Sequence, residues 1–515
     1  MKKRKICVLA ITGFAIVTSL LFASCYWNPQ SGTGSITLHI SGPASRSITA
    51  PTSVSYARVF LYTDNGDTPV YVGESTAFAE AALSDGSGSV TVQNVPAGPQ
   101  YKLVLVLGTK DTSSGVFLPA TFSQTQSAFA ITANKDNVVA LAAPQSVQLI
   151  DASSGLPVPV QYDLIGKNLT GATVANNSNM YPYEMYWAAS TSNTLFAATT
   201  GSMVNTSYTT VTPGRTINSL SSGSPDPVGA VPQEIWMNTS GGIVTFDPSN
   251  GQFPALPLGG PSTAVLLSGS YYAMTAGQDV VYYADNNGLG GVVFGGQINV
   301  PYWVTIAIAG VSEPPILDYA VPPSSSSGDY AYFATRLGAF AIGSDLLSSG
   351  NNTLTYLLNH AAFFTVVDPN GNNPFINSLA MDLNDTTLYI ATNNGIYTAA
   401  AANIDGLVGT GSAAYKITSA PLPGTTGHAF KKVLEGGTPA SYYSALYWVG
   451  WSRGTFVYGL AGGTSATTIP VAAVSLGTPQ AVALMQDSDS SYVYLVIAGS
   501  EGLSFVPLGY SQNMG

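Results

Sequence analysis

The 515-residue sequence predicts an all-β protein. From Ser35 to about Ala142, apolar and polar residues alternate with a period of two, as in half-buried strands. From about Pro144 onward, an apolar strand followed by a glycine turn and a second apolar strand recurs seven times. These two patterns predict a small β-sandwich over residues 35–142 and a seven-bladed β-propeller over residues 143–515.

The first 25 residues have the composition of an export signal. Four basic residues at positions 2–5 precede an apolar run, 6–22, which ends in Ala23-Ser24-Cys25. A cationic start, a short apolar core and small residues before the end are typical of a cleaved signal peptide, and the core is too short for a stable membrane span. A plain secretory signal or an uncleaved anchor remains the alternative.

This N-terminal pattern resembles the lipobox of bacterial lipoproteins. Phe22 stands where that motif usually has leucine, and such relaxed motifs resemble those of spirochaete-type lipoproteins. The resemblance implies a signal peptide over residues 1–24, lipidation of Cys25 and a polar tether over residues 25–34. It also implies attachment to a membrane of the cell envelope, at the outer membrane or cell surface rather than at the inner membrane.

Composition restricts the partners and the chemistry of the mature chain. Cys7 and Cys25 are the two cysteines, so none remains for a disulfide or a thiol nucleophile after cleavage and lipidation. The four basic residues lost with the signal would take the formal net charge from −11 to −15. A surface with this charge repels nucleic acid, since non-specific binding requires clustered lysine and arginine.

One turn of the predicted sandwich carries a second resemblance. The sequence from Val95 to Tyr101 places Pro96, Gly98 and Pro99 between two strands. It resembles the proline-glycine turn and following core tyrosine of transthyretin-like and carboxypeptidase-regulatory-like modules, which implies that Tyr101 is buried and assigns no catalytic residue. Any other proline-glycine turn between strands is the alternative.

The repeat in the second region has an irregular length. It is clearest from Leu388 to Tyr397, and its turn glycines are expected to adopt positive φ. The sequence Ile-Asn-Ser-Leu occurs twice, at 217–220 and 376–379. The turn glycines are separated by 40 to 59 residues, which suits four-stranded blades, although a β-sandwich array or a right-handed β-helix stays open. They are Gly201, Gly241, Gly288, Gly338, Gly395, Gly454 and Gly502.

The end of the chain predicts how the ring closes. After Gly502 there is room for one more strand, so the last blade lacks its outer strand. We expect Ser146–Ile150 to supply that strand and to place the sandwich beside the first and last blades.

Catalytic and metal-binding patterns are not found in the sequence. His39, His360 and His428 lie far apart, so no paired-histidine metal site is predicted, and no cofactor is expected. No Gly-x-Ser-x-Gly turn joins a strand to a helix. Acidic residues near the predicted inner strands could support glycoside chemistry. They are Glu184, Glu234, Asp318, Asp382 and Glu435.

The sequence therefore favours a binding or scaffolding surface over an enzyme. The predicted partners are a membrane, through the lipid, and an envelope protein or glycan. The alternatives are a propeller hydrolase or lyase acting on a polysaccharide, lactone or ester, and a purely structural envelope component. The candidate ligand-binding residues, expected together on one face at the starts of inner strands, are Tyr183, Glu184, Asn218, Asp318, Asn377 and Tyr443.

Overall fold

The fold was determined as a computed structural model. It describes residues 32–41, 48–49, 54–63, 78–150, 157–176, 184–190, 194–198, 208–211, 216–223, 234–240, 242–246, 273–276, 280–285, 288–295, 298–306, 318–320, 330–335, 338–343, 360–382, 386–436, 447–451, 455–460, 466–486 and 492–510. These residues form an all-β protein, as the sequence predicts, with short helices at Ala401–Asp405 (α1) and Val471–Ala473 (a 3-10 helix).

Two sheets near the N-terminus face each other, and we call them the two-sheet unit. In the first, β1 lies between β5 on one side and β2 and β9 on the other. The second has the order β4-β3-β6-β7, with β8 also paired to β6. The strands are β1 (Thr33–Ser41), β2 (Ile48–Thr49), β3 (Tyr56–Thr63), β4 (Phe78–Ala82), β5 (Gly88–Pro96), β6 (Gln100–Lys110), β7 (Phe117–Gln124), β8 (Phe129–Ala130) and β9 (Asp136–Asn137).

Alternating residues of both sheets fill one core, which includes Leu38, Val59, Val92 and Leu105. The prediction that Tyr101 is buried is confirmed, because its side chain is 2% exposed within this core. Its hydroxyl donates to the carbonyl oxygen of Pro96 at 2.9 Å, and Gly98 adopts φ +105°. The hydrogen bond joins the start of β6 to the end of β5 and satisfies the hydroxyl of a buried tyrosine.

Seven further sheets are described between residues 157 and 510. In each of them, consecutive strands pair in antiparallel order and form a meander. We number them in chain order by their first strands. Sheet 1 contains β13 (Leu169–Asn176), β14 (Glu184–Ser190), β15 (Thr194–Ala198) and β16 (Tyr208–Val211); sheet 2 contains β17 (Ile217–Gly223), β18 (Glu234–Thr239) and β19 (Gly242–Phe246); sheet 3 contains β20 (Ala273–Ala276), β21 (Val280–Asp285), β22 (Gly288–Gly295) and β23 (Ile298–Ile306).

The remaining sheets follow the same plan, with strands added from elsewhere in the chain in two of them. Sheet 4 contains β24 (Asp318–Ala320), β25 (Tyr330–Thr335), β26 (Gly338–Gly343), β27 (Ala362–Val366) and, parallel to β27, β31 (Tyr415–Ile417); sheet 5 contains β28 (Ile376–Met381), β29 (Thr387–Thr392) and β30 (Gly395–Ala400); sheet 6 contains β32 (Lys432–Gly436), β33 (Tyr447–Trp451), β34 (Thr455–Leu460) and β35 (Ala466–Pro470); sheet 7 contains β36 (Pro479–Gln486), β37 (Tyr492–Gly499), β38 (Gly502–Tyr510) and β12 (Gln161–Asp163).

The first strands of successive sheets lie next to one another. The order of neighbours is β13, β17, β20, β24, β28, β32 and β36, and β36 returns to β13. Buried side chains fill the space between adjacent sheets: Phe364 and Tyr397 lie in the core that joins sheets 4 and 5, and Phe196 and Phe505 in the core that joins sheets 1 and 7. The nearly continuous apolar strands are explained by this packing on both faces.

The expected positive φ of the turn glycines is confirmed at three positions. Gly338, Gly395 and Gly502 have φ of +135°, +127° and +146°, each at the start of the third strand of its sheet. These values are far from the regions that residues with a Cβ atom adopt. Gly201, Gly241 and Gly454 lie outside the described residues.

The strand that completes sheet 7 differs from the expected one. Gln148–Ile150 forms β10, which pairs with β11 (Pro157–Pro159) in a separate hairpin, whereas β12 pairs with β38. A strand from before sheet 1 does pair with β38, but the predicted segment was wrong by about a dozen residues. Pro157 and Pro159 have no N–H groups to donate to a second strand, so β11 does not extend a sheet beyond its pairing with β10. The Gln-Tyr-Asp sequence of β12 lacks the apolar alternation by which strands are predicted.

The two-sheet unit lies beside sheet 7, as expected. Its outer face packs Phe117 and Phe122 against Ala473, which directly precedes sheet 7 in the chain. Tyr162 of β12 donates its hydroxyl to the carbonyl oxygen of Pro119 at 3.1 Å, and burial raises the pKa of Tyr162 above its usual value. The closing strand is therefore held between β38 and the two-sheet unit.

Candidate functional site

A β-bulge recurs at the second residue of the first strand in sheets 1, 2, 5 and 7. In sheet 5, Ile376 pairs with Thr392 and Ser378 pairs with Ala391, so Asn377 has no partner in the second strand. A bulge leaves its extra residue unpaired and redirects that side chain. The extra residues are Thr170, Asn218, Asn377 and Gln480.

Two of these extra residues bond to the next sheet. Thr170 donates its hydroxyl to the carbonyl oxygen of Ile217 at 3.1 Å, at the start of β17. Asn377 donates its amide to the carbonyl oxygen of Phe430 at 2.8 Å, just before β32. These bonds place the starts of neighbouring first strands side by side. We use the term bulge end for the end of the sheets where the first strands begin.

An ion pair lies at the bulge end of sheets 4, 5 and 6. Lys432, the first residue of β32, places its Nζ atom 2.7 Å from both carboxylate oxygens of Asp318, the first residue of β24. Ser378 donates its hydroxyl to Asp318 and accepts a hydrogen bond from the backbone N–H of Val433 at 3.1 Å. The N–H of Leu379 also donates to Asp318, at 3.3 Å. We call Asp318, Ser378 and Lys432 the charged triad.

The triad joins sheets that are not neighbours. Sheet 5 lies between sheets 4 and 6. Asp318 and Lys432 therefore contact each other across the start of its first strand, β28. Ser378 is fully buried, and the side chains of Asp318 and Lys432 are 9% and 34% exposed. Two ammonium hydrogens of Lys432 are directed to Asp318, and the third has no partner among the described residues. Lys432 is thus the member of the triad that a ligand can reach.

The structure brings together part of the predicted site. Asn218, Asp318 and Asn377 lie at the bulge end of their sheets. Glu184 pairs with Asn176, the last residue of β13, and so lies at the opposite end of its sheet. The expectation that the six candidates share one face is wrong for Glu184, because the first and second strands run antiparallel. Tyr183 and Tyr443 lie outside the described residues.

Sequence reasoning missed Ser378 and Lys432. Ser378 belongs to the repeated Ile-Asn-Ser-Leu sequence, and the bulge at Asn377 turns it toward Asp318. Lys432 is one of only 16 basic residues in the chain, which would have been a usable signal. The pairing itself spans about 110 residues and has no local signature.

Two other acidic residues hold turns together. Asp382 accepts hydrogen bonds from the N–H groups of Thr386 and Thr387, at 2.6 and 2.8 Å, and from the Thr386 hydroxyl at 2.7 Å. Asp368 accepts from the N–H groups of Asn370 and Asn372, at 2.9 and 2.8 Å. The hydrogen bond from Asn372 is the main cause of the lowered pKa of Asp368. Both carboxylates accept hydrogen bonds from the turns that they stabilise.

Comparison with protein-family models and with curated proteins gave no match for this chain. Within the ranges that the structure describes, no three histidine, cysteine, aspartate or glutamate side chains converge as metal ligands. In the same ranges, none of the helices has the length and apolar character needed to cross a bilayer.

Proposed function

We propose that this chain is a lipid-anchored cell-envelope protein in which a β-sandwich is followed by a seven-bladed β-propeller. The propeller binds a protein or glycan ligand at its bulge end. The order of the first strands, in which β36 returns to β13, supports a closed ring of seven blades. The shared core of the two-sheet unit supports a β-sandwich.

The charged triad is the observation that supports binding. The Asp318 carboxylate accepts hydrogen bonds from Ser378, Leu379 and Lys432, three of the four at Oδ2, and its side chain is only 9% exposed, so little of it faces a ligand. A general base needs a free lone pair directed at its substrate. Lys432 retains one ammonium hydrogen and partial exposure, which suits a hydrogen bond to an oxygen of a ligand. The geometry therefore favours recognition over acid-base catalysis.

The binding proposal is tested by capture from detergent-solubilised envelopes with the mature chain as bait. The informative variant is Asp318→Asn combined with Lys432→Gln, because two amides keep hydrogen bonding in place of the ion pair. We expect this variant to lose at least tenfold of the captured component, measured by quantitative mass spectrometry. Lys416→Gln, which changes an exposed lysine of β31, is the matched control and should capture as the parent does.

Equal capture by the parent and the double variant would refute a role for the triad in binding. The double variant should keep the tryptophan-fluorescence unfolding midpoint of the parent to within a small shift. Five of the six tryptophans lie in residues 143–515, so this signal reports on the region that contains the triad.

The membrane anchor makes a separate prediction. Cys25→Ser should abolish labelling by radioactive palmitate and move the protein from the detergent phase to the aqueous phase of a Triton X-114 partition. Two or three acyl chains bury many CH₂ groups in the bilayer, and each buried group stabilises membrane binding by about 0.8 kcal/mol. The weakly charged protein surface alone would bury far fewer CH₂ groups. Cys7→Ser is the matched control and should remain labelled. A Cys25→Ser protein that still partitions into detergent would contradict the lipoprotein assignment.

A further inference from the structure

The bulge end of sheet 5 also carries an exposed aromatic side chain. Phe375 directly precedes β28 and is 56% exposed, whereas most large apolar side chains of the described residues are buried. An exposed phenylalanine lacks the stabilisation that burial of its side chain would give. This exposure is informative because few large apolar side chains of the described residues are exposed.

The backbone of Phe375 is fixed by the neighbouring hairpin turn. Its N–H donates to the side-chain oxygen of Asn393 at 2.9 Å, and the N–H of Asn393 donates to the carbonyl oxygen of Phe375 at 3.1 Å. The preceding loop is fixed by Asp368, which also accepts hydrogen bonds from the side-chain amides of Asn372 and Asn394, at 3.2 and 3.0 Å. The ring is therefore presented by an ordered backbone before any ligand binds.

Two amide groups with unused hydrogen-bonding capacity lie near Phe375: that of Asn393, which is bonded to the Phe375 backbone, and that of Asn372, three residues earlier in the chain. Asn393 uses its side-chain oxygen on Phe375, so both hydrogens of its amide nitrogen remain available among the described residues. Asn372 uses its side-chain nitrogen on Asp368, so its side-chain oxygen remains available, and this residue is exposed. An available donor is thus bonded to the backbone of Phe375, and an available acceptor lies in the loop that precedes it.

The two chain segments that carry this platform contain no charged residue, and the neighbouring Asp368 is only 6% exposed and accepts hydrogen bonds from Asn372 and Asn394. Residues 369–381 and 386–404 contain no aspartate, glutamate, lysine, arginine or histidine. A charged ligand would give up its hydration on these two segments without gaining an opposite charge from them. A neutral ligand that has one apolar face and many hydroxyl groups fits an aromatic ring bordered by amides, and a sugar ring has both properties.

We propose that Phe375, with Asn372 and Asn393, forms a subsite for one ring of a neutral oligosaccharide, with the sugar's C–H face on the phenylalanine ring. This subsite rests on the proposed binding function and names the ligand class for the same end of the molecule. Stacking supplies the contact area, and the two amides orient the hydroxyl groups at the edge of the sugar.

The test is affinity electrophoresis of the mature protein in native gels. The gels contain hydroxyethyl cellulose, galactomannan or mixed-linkage β-glucan, with polygalacturonate as an anionic arm. We expect at least one neutral polysaccharide to retard the parent protein. Phe375→Ala should weaken that retardation at least tenfold in apparent Kd, and Phe375→Trp should retain it because the platform is kept. Val138→Ala is the matched control, since Val138 is also exposed, at 99%, but lies in the two-sheet unit.

Three results would overturn the subsite: no retardation by any neutral polysaccharide, retardation by polygalacturonate alone, or equal retardation of the parent and Phe375→Ala. Capture from envelopes separates this failure from that of the proposed function. If the charged triad controls capture while neutral polysaccharides do not bind, binding stands and the glycan subsite falls. If neither experiment gives a signal, both fall.

Discussion

Replacing Gly395 with valine is expected to lower the free energy of unfolding by about 3 kcal/mol. Two causes act together. Gly395 has φ +127°, which a β-branched residue adopts only under strain. A Cβ atom at this position would also lie 2.8 Å from Cβ of Pro421 and 3.3 Å from the carbonyl oxygen of Thr425, so the segment after sheet 5 would have to move.

The effect is measured as a shift of the urea midpoint followed by tryptophan fluorescence. Gly409→Val is the matched control, because Gly409 also has positive φ, at +77°, but a Cβ atom there has no neighbour within 4 Å. The control should cost about 1 kcal/mol, from backbone strain alone. Equal midpoints for the two variants would show that the contact between the new Cβ atom and Pro421 adds no cost.

Replacing Asp318 with alanine should destabilise the protein by about 2 to 3 kcal/mol. Removal of the carboxylate leaves the buried Ser378 hydroxyl, the Leu379 N–H and the Lys432 ammonium without their acceptor. The loss is smaller than for a fully buried pair, because Lys432 is about one third exposed and regains some hydration.

A double-mutant cycle with Lys432→Met is the control for this prediction. The double variant should be more stable than Asp318→Ala alone, since it removes the uncompensated charge. If the changes in the free energy of unfolding of the two single variants add without coupling, the ion pair does not stabilise the protein.

The sequence predicts the local features of this fold well. Strand β28, the positive φ of Gly395 and the burial of Tyr101 each follow from a pattern within about ten residues. The bulge at Asn377 was not predicted, because one inserted residue disturbs the period of two without a clear mark in a single sequence. The repeated Ile-Asn-Ser-Leu sequence is explained by that bulge, which occurs in both copies.

Long-range pairing is the part that the sequence did not reveal. Asp318 was predicted as a site residue from its place at the start of a strand, and its partners, from two other sheets, depend on how the sheets pack. The closing strand was misplaced for a similar reason. The apolar residues Val147 and Leu149 look more like a strand than Gln161–Asp163, yet Gln148–Ile150 pairs with β11 and Gln161–Asp163 pairs with β38.

The position of β12 also determines the order in which the molecule can assemble. Its partner residues in β38 lie about 340 residues later in the chain, so this pairing closes a very long loop. Compared with a four-residue hairpin, closing such a loop costs about 4 kcal/mol more in chain entropy. We expect this contact to form last, after the intervening sheets have shortened the loop by folding. Until then β38 has an unpaired edge, and β12 of a second molecule could take the place at high concentration. Folding of this chain is therefore most vulnerable to strand exchange at its final step.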